Sequence, residues 1–436
     1  MTDAKRHVLI IAYYFPPMGM GGVQRTLKFA KYLPAFGWHP VILTVGETGY
    51  FAFDESLMKE VEELGIEVVR TDSFDMNRVF KSRKPVKMPG ESMRRTLQFL
   101  GDLFFIPDTK IGWKRKAVKA AMEIVKTRHI DAVLATAPPQ TDFLIGLELK
   151  RRTNIPLVLD YRDSWLEYPF KYFPTPYHRW RHRRLERKVV RGCDRIIVTH
   201  RRVKENIVKR YPFLTYNDVT IVSQGFDRED FNDAPVQRPP SHKMRIVHAG
   251  TFYGGRNPRV FLQALHRVLR DSPALRGRFE VNLAGAPRKE DQALTAKLGL
   301  QNEVNFLGYL EHRVCVRHLQ EADVLWFVLD NDLQSPGKLY EYFGAGKPIL
   351  ASVADGYTRQ LLQESGVGIC VPPDDVEAHV EALKGLLARF ERKELPAPSN
   401  TFIERFDRRA LSGELARVLE TLMDIDRGAF VKVNGS

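Results

Sequence analysis

Two widely separated segments of the chain repeat one order of apolar run, glycine-rich loop and amphipathic helix. The first is His7-Val-Leu-Ile-Ile-Ala12, then Tyr13 to Gly22, then Val23 to Phe36 with Val23, Leu27, Ala30 and Leu33 at helical spacing. The second is Met244-Arg-Ile-Val-His-Ala-Gly250, then Thr251 to Pro258, then Val260 to Arg270. A short unbroken apolar run is the pattern of a parallel strand buried on both faces. Glycines after such a strand let a ligand approach the backbone. The chain is therefore expected to be α/β, with two units that each open on a ligand-approach turn. Its 436 residues also exceed one comfortable core. A polar, proline-rich stretch from Asn232 to His242 separates the units.

Further apolar runs predict strands at Trp38–Val45, Ile66–Arg70, Asp131–Thr136, Pro156–Asp160, Arg195–Thr199 and Val219–Ser223 in the first half. In the second half they fall at Phe279–Ala284, Val304–Leu307, Val324–Val328, Pro348–Val353 and Gly368–Val371. A last amphipathic helix is expected from about Arg408 to Met423, followed by a frayed polar tail.

The stretch Ser335-Pro-Gly-Lys-Leu-Tyr-Glu-Tyr-Phe-Gly-Ala-Gly-Lys-Pro348 reads as a loop, a helix and a tight turn. Proline is tolerated in a first helical turn, where its missing N–H would have no partner. Free backbone N–H groups and a partial positive charge at that helix start suit a phosphate. Lys338 adds a full charge there, and Glu341, one turn on, suits a ribose diol. A plain α/β helix with an exposed Lys and Glu is the other reading. Arg162 and Asp163, in Asp160-Tyr-Arg-Asp-Ser-Trp165, end a strand where α/β sheets place ligand groups. They also suit an ion pair that pins a loop.

Net charge is +14. Such an excess faces nucleic acid, a membrane surface or a phosphorylated substrate. Basic residues from Arg78 to Arg128 interleave with Phe80, Met93, Leu97, Phe99, Phe104 and Trp113. That mixture suits an interfacial contact with anionic lipid, or a solvated insertion with a local apolar anchor. Three dispersed cysteines, Cys193, Cys315 and Cys370, carry no metal-ligand spacing and point to a reducing compartment. No apolar run is long enough to span a bilayer, and no signal peptide is read at the start.

These stretches together resemble the GT-B-fold enzymes of glycosyltransferase family 4, of the bacterial cell-surface polysaccharide type, over almost the whole chain. Tyr13 to Gly22 resembles the family's N-terminal glycine loop. Asp160 to Trp165 is similar to its D-x-R-D-x-W block. Ala249 to Asn257 resembles the first loop of its nucleotide domain, and Ser335 to Pro348 its donor-binding helix. The resemblance implies two Rossmann-like domains facing across a cleft. Residues 1–230 would bind acceptor, 231–243 link, 244–403 bind the nucleotide sugar, and 404–436 form a helix that crosses back. Hinges would lie at Gln224–Lys243 and Pro396–Phe402.

Residue by residue, Arg256 stands at the diphosphate-binding Lys, Thr251 at the accompanying Arg, and Glu341 at the second carboxylate of E-x7-E. Leu333 replaces the first carboxylate, and Thr136-Ala-Pro-Pro139 stands where many members carry a His. Gly308 and Tyr309 would border the base, and Gly337 and Lys338 would face sugar and phosphates. Arg256, Lys338, Arg162 and Asp163 are thus the catalytic candidates. Gly21, Gly22, Gly250, Gly308, Tyr309, Gly337 and Glu341 are the substrate-binding ones.

The implied reaction moves a sugar from a nucleoside-diphosphate sugar to a lipid-linked or oligosaccharide acceptor, with retention. No D-x-D motif ends an N-domain strand, so neither metal nor cofactor is expected. The implied place is cytoplasmic, in possible peripheral contact with the inner face of an anionic membrane. Three rivals remain: a nucleotide-sugar epimerase or phosphorylase, a catalytically degenerate binding protein, and a nucleic-acid binder, the last without any accompanying motif.

Overall fold

A computed structural model describes residues 5–19, 22–46, 48, 53–74, 93–232, 241–252, 255–334 and 336–423, and the backbone alone of 91–92 and 424–433. The chain divides into two compact units, one running to Gln224 and resuming at Arg408, the other from Gly225 to Asp407.

The first unit contains β1 (Arg6–Ile11), α1 (Gln24–Tyr32), β2 (Trp38–Val45), α2 (Glu55–Glu63), β3 (Glu67–Thr71), α3 (Glu91–Phe104) and α4 (Lys114–Thr127). It continues through β4 (Ala132–Ala137), α5 (Thr141–Thr153), β5 (Leu157–Tyr161), α6 (Pro176–Gly192), β6 (Arg195–Val198), α7 (Arg201–Arg210) and β7 (Val219–Ile221). The strands form a parallel sheet in the order β3-β2-β1-β4-β5-β6-β7. Side chains alternate between the faces of a strand, and both faces are covered. Leu9, Ile11, Val41 and Leu43 pack with Ala117 and Ala121 of α4 and Ile145 of α5. On the other face Val8, Ile10 and Ile42 share a core with Leu27 and Ala30 of α1.

The second unit contains β8 (Met244–Ala249), α8 (Arg259–Asp271), β9 (Phe279–Ala284), α9 (Lys289–Lys297), β10 (Val304–Gly308), α10 (His312–Glu321) and β11 (Val324–Leu329). After these come α11 (Gly337–Ala345), β12 (Ile349–Val353), α12 (Tyr357–Glu364), β13 (Gly368–Val371), α13 (Val376–Arg392) and α14 (Asn400–Glu404). Its parallel sheet has the order β10-β9-β8-β11-β12-β13. The last helix, α15 (Arg408–Val433), belongs to the first unit, where Leu411, Leu415 and Leu419 join the core around α1.

Both sheets therefore have Rossmann-like order. Each reverses direction beside its opening strand, between β1 and β4 and between β8 and β11. The carboxyl ends of strands at such a reversal are where open α/β sheets bind ligands. The predicted strands all form, with ends shifted by a residue or two. In the first unit, helices α2, α3, α4 and α7 lie where the sequence reading named none. The backbone of α15 continues well beyond Met423. The basic residues Arg78 to Lys87 and most of the linker stretch lie outside the described residues.

Candidate functional site

In the second unit, β8 ends at Ala249 and turns at Gly250, whose N–H donates to Ala284 O at 2.8 Å. Gly285 follows β9 with φ of +145°, and a Cβ there would lie 2.3 Å from Gly250 O. Only glycine lets these two strand ends lie so close, which leaves backbone rather than side chains at the rim. The N–H of Gly285 donates to Gly308 O at 2.8 Å, so Gly308 continues the rim at the end of β10, with exposed Tyr309 beside it.

The loop after β11 leads into α11 through Pro336, which takes the N-cap position. A Cβ added at Gly337 would meet nothing within 4 Å, so the first turn of α11 opens onto free space. Tyr342 fixes the helix: its hydroxyl accepts from Ala249 N at 2.7 Å and donates to Trp326 O at 3.3 Å. Lys338 Nζ lies 2.5 Å from Glu341 Oε2 and 3.7 Å from Cys315 Sγ. Burial works against the Lys338 ammonium, but Cys315 and Glu341 outweigh it and keep it charged beyond the usual lysine range.

Arg256 is buried in the β8–α8 connection, three residues before α8, and its Nη2 donates to Gln334 Oε1 at 3.3 Å. Gln334 in turn accepts from Asn331 Nδ2, and Leu333 N donates to Asn331 Oδ1 at 3.1 Å. The loop carrying Leu333 is thus shaped by an Asn and tied to the arginine. Arg256 also lines a cavity of about 760 Å³ with Arg259, Asp330, Asp355, Arg359 and Asp374. Beneath it His248 stacks on Phe252, ring centroids 4.5 Å apart, and bonds Trp326 O through Nδ1. Burial, helped by Arg256, lowers its pKa to about 4.

In the first unit the Asp160–Trp165 block is a network of ties. Asp160, buried at the end of β5, accepts from Arg25 of α1 at 2.9 Å and from Thr136 Oγ1 at 2.9 Å. Arg25 also donates to Val222 O and Ser223 O. Arg162 reaches three carbonyls: Gly22 after β1, and Ala137 and Pro138 after β4. It holds the strand-end loops together. Asp163 lies half-buried on the loop after β5. Trp165 Nε1 donates to His182 Nδ1 at 3.0 Å. Gly21, like Ser335, lies outside the described residues.

Sequence reasoning missed four contributors. Gly285 was signalled by the repeated strand-Ala-Gly ending of β8 and β9. Gln334 and His248 had no sequence signal. In the first unit Asp142 is fully buried; its Oδ2 accepts from Tyr13 N at 2.8 Å, while Oδ1 has no hydrogen-bond partner. Burial raises its pKa well above the usual carboxylate range; the Tyr13 amide opposes this and Asp108 adds to it. Among the described residues, no group of three or more His, Cys, Asp or Glu is placed to hold a metal ion.

Residues 20–230 match the model of Glycosyltransferase Family 4, and residues 243–389 match that of Glycosyl transferases group 1. The chain belongs to glycosyltransferase family 4. One similar family protein is the phosphatidyl-myo-inositol mannosyltransferase of Mycolicibacterium smegmatis, 27% identical over 50% of this chain and 55% of that one. The chain spans about half the length of the curated relatives it matches. Among solved structures, WaaG, a glycosyltransferase of lipopolysaccharide biosynthesis, is 17% identical with a TM-score of 0.60, covering 94% of this chain and 99% of that one. Anabaena HepE in complex with UDP is 14% identical with a TM-score of 0.59, covering 95% and 100%. These two share the GT-B fold of the family.

Proposed function

We propose that the chain transfers a sugar from a nucleoside-diphosphate sugar to a lipid-linked or oligosaccharide acceptor in cell-surface glycan synthesis. The observation that carries this is the second unit's own constellation: an open α11 N-terminus, Lys338, Arg256 and Glu341 around a rim of bare backbone. Breaking a sugar–diphosphate bond develops negative charge on the leaving phosphate. Positive groups fixed in advance stabilise that charge, each typically worth about 3 kcal/mol. Lys338, Arg256 and the α11 N–H groups take that role, and Arg256 offers a fork suited to phosphate. Glu341 exchanges its bond to Lys338 for the ribose diol. The cavity beside Arg256 has room for the transferred sugar.

The basic clamp stands in for a divalent ion, and the leaving phosphate serves as base in a front-face displacement with retention. Arg162 and Asp163 shape the acceptor side, in the first unit. The relative from Mycolicibacterium is named for a lipid-borne inositol, which supports a lipid-linked acceptor here. We place the reaction on the cytoplasmic side of an anionic membrane. Three cysteines outside any disulfide are compatible with that compartment, and no helix among the described residues is long and apolar enough to cross a membrane.

The test is thermal stabilisation by a panel of nucleoside diphosphates and their sugars. Binding to the folded state alone adds about 2.7 kcal/mol at a hundredfold excess over Kd. One nucleotide is expected to raise the melting point, and Glu341→Ala to abolish the rise. No response across the panel would remove the donor site, and with it the reading. Turnover of the matching nucleotide sugar, with product configuration read by NMR and activity retained in EDTA, tests the mechanism.

A further inference from the structure

Helix α3 is inside out. Its inward side is polar: Gln98 donates to Phe170 O, and Asp102 holds Lys171 Nζ at 2.5 Å and the Tyr172 N–H at 3.1 Å. Gly101 belongs to that same side, where a Cβ would lie 2.8 Å from Thr109. Its outward side carries Met93, Leu97, Leu100 and Phe104, exposed by 62%, 50%, 42% and 72%. Spacings of four, three and four put these side chains on one stripe. A helix on a water-soluble surface turns its apolar stripe inward, so the stripe marks a surface that another apolar phase covers.

Beside it stands α6. Nε2 of His178 bonds Leu103 O at 3.0 Å, and the Phe99 and Tyr172 rings meet at 6.3 Å. The outward side of α6 presents Tyr177 and Trp180, 58% and 50% exposed, followed by exposed Arg183, Arg184, Arg187 and Lys188. Residues 176–192, the whole of α6, contain seven Lys and Arg against one Glu.

From this juxtaposition we infer that α3 and α6 form one docking surface for an anionic phospholipid bilayer. The stripe of α3 enters the headgroup–acyl boundary, Tyr177 and Trp180 sit at headgroup level, and the arginines of α6 face lipid phosphates. Charge complementarity selects the bilayer over a second copy of the chain, since two such basic faces would repel. The inference rests on the membrane-facing part of the proposed function and locates it, but does not depend on the transfer chemistry.

The experiment is flotation of the full chain with vesicles of phosphatidylcholine alone or with phosphatidylglycerol added. Wild type is expected to float with the anionic vesicles. Leu97→Glu/Leu100→Glu should lower the bound fraction about tenfold, and so should Arg183→Glu/Arg187→Glu. Raising salt from about 0.1 M to about 1 M shrinks the screening length from about 10 Å to about 3 Å. It should weaken binding without abolishing it, because the stripe remains. Both variants should keep the nucleoside-diphosphate thermal shift, which checks their folding and the donor site separately. Wild type that stays unbound overturns the inference. So does a stripe variant that floats like wild type, or one that instead converts a dimer in solution to a monomer. Flotation that follows this pattern in a protein without any nucleotide shift would uphold the docking surface and sink the transferase reading alone.

Discussion

Replacing Lys338 by Met removes one charge with two separable consequences. In the free protein it leaves Glu341, with a side chain only 9% exposed, without the ammonium at 2.5 Å. Removing one partner of a buried pair costs about 3–5 kcal/mol. Lys338 itself is 26% exposed, so water screens the pair and the expected loss is about 2 kcal/mol. In the proposed transfer the same change removes a positive group beside the leaving phosphate. A loss of about 3 kcal/mol of transition-state stabilisation lowers kcat/KM by about a hundredfold. Adding Glu341→Gln separates the two. The stranded carboxylate is then neutral, so the denaturation midpoint should return most of the way to wild type. Activity should fall further, because the ribose contact weakens as well. Steady-state kinetics and urea melts on the single and double variants read both effects. An unchanged kcat/KM in Lys338→Met would refute the phosphate role. A double variant as unstable as the single one would refute the claim that the lysine neutralises Glu341.

Three further outcomes are expected. Gly285→Ala should disturb the strand-end rim and abolish nucleotide binding, whereas Gly337→Ala, with open space at its Cβ, should fold normally and lose donor affinity only; calorimetry and melting curves distinguish them. Asp142 has a raised folded-state pKa, so its contribution is complete below about pH 4 and lost as pH climbs through the folded value. Asp142→Asn, a copy of the neutral acid, should therefore gain melting temperature relative to wild type from pH 4 to pH 8, and a constant difference would show a stabilised carboxylate instead. His248 shifts the opposite way, from 6.5 to about 4, so its contribution is complete above pH 6.5 and is lost as pH falls towards 4. That difference corresponds to roughly 3 kcal/mol, and His248→Phe should flatten that acid limb of the pH–stability curve.

What was legible in the sequence was whatever local pattern decides. A strand buried on both faces must be apolar at nearly every position, so β1, β8 and β11 announce themselves. The order of strand, glycine loop and helix placed Gly250 and Arg256 in the connection after β8, and the loop-to-helix pattern placed Lys338 in the first turn of α11. What was not legible depends on partners distant in the chain. Arg162 reads as a ligand-facing charge, yet its hydrogen bonds go to carbonyls in two other loops. Gln334 is an ordinary loop residue until Arg256 is beside it. Helix α3 shows most clearly how far periodicity reaches. The spacing of Met93, Leu97, Leu100 and Phe104 gives a stripe, but no spacing says whether the stripe faces the core or the outside. That depends on Asp102 finding Lys171.

The last helix has a consequence for how the molecule is made. Leu411, Leu415 and Leu419 of α15 complete the core around Val23, Leu27 and Ala30. A ribosome releases those residues only after the entire second unit has been synthesised. Through most of translation one face of the nascent first unit is therefore uncovered, while the later-made second unit already has all of its sequence and can close first. Domains in general fold as units in order of emergence; here the part begun first is finished last. A chain that stops before Arg408 would leave the ribosome with a permanently unshielded apolar face, a substrate for chaperones and for aggregation rather than a smaller folded unit.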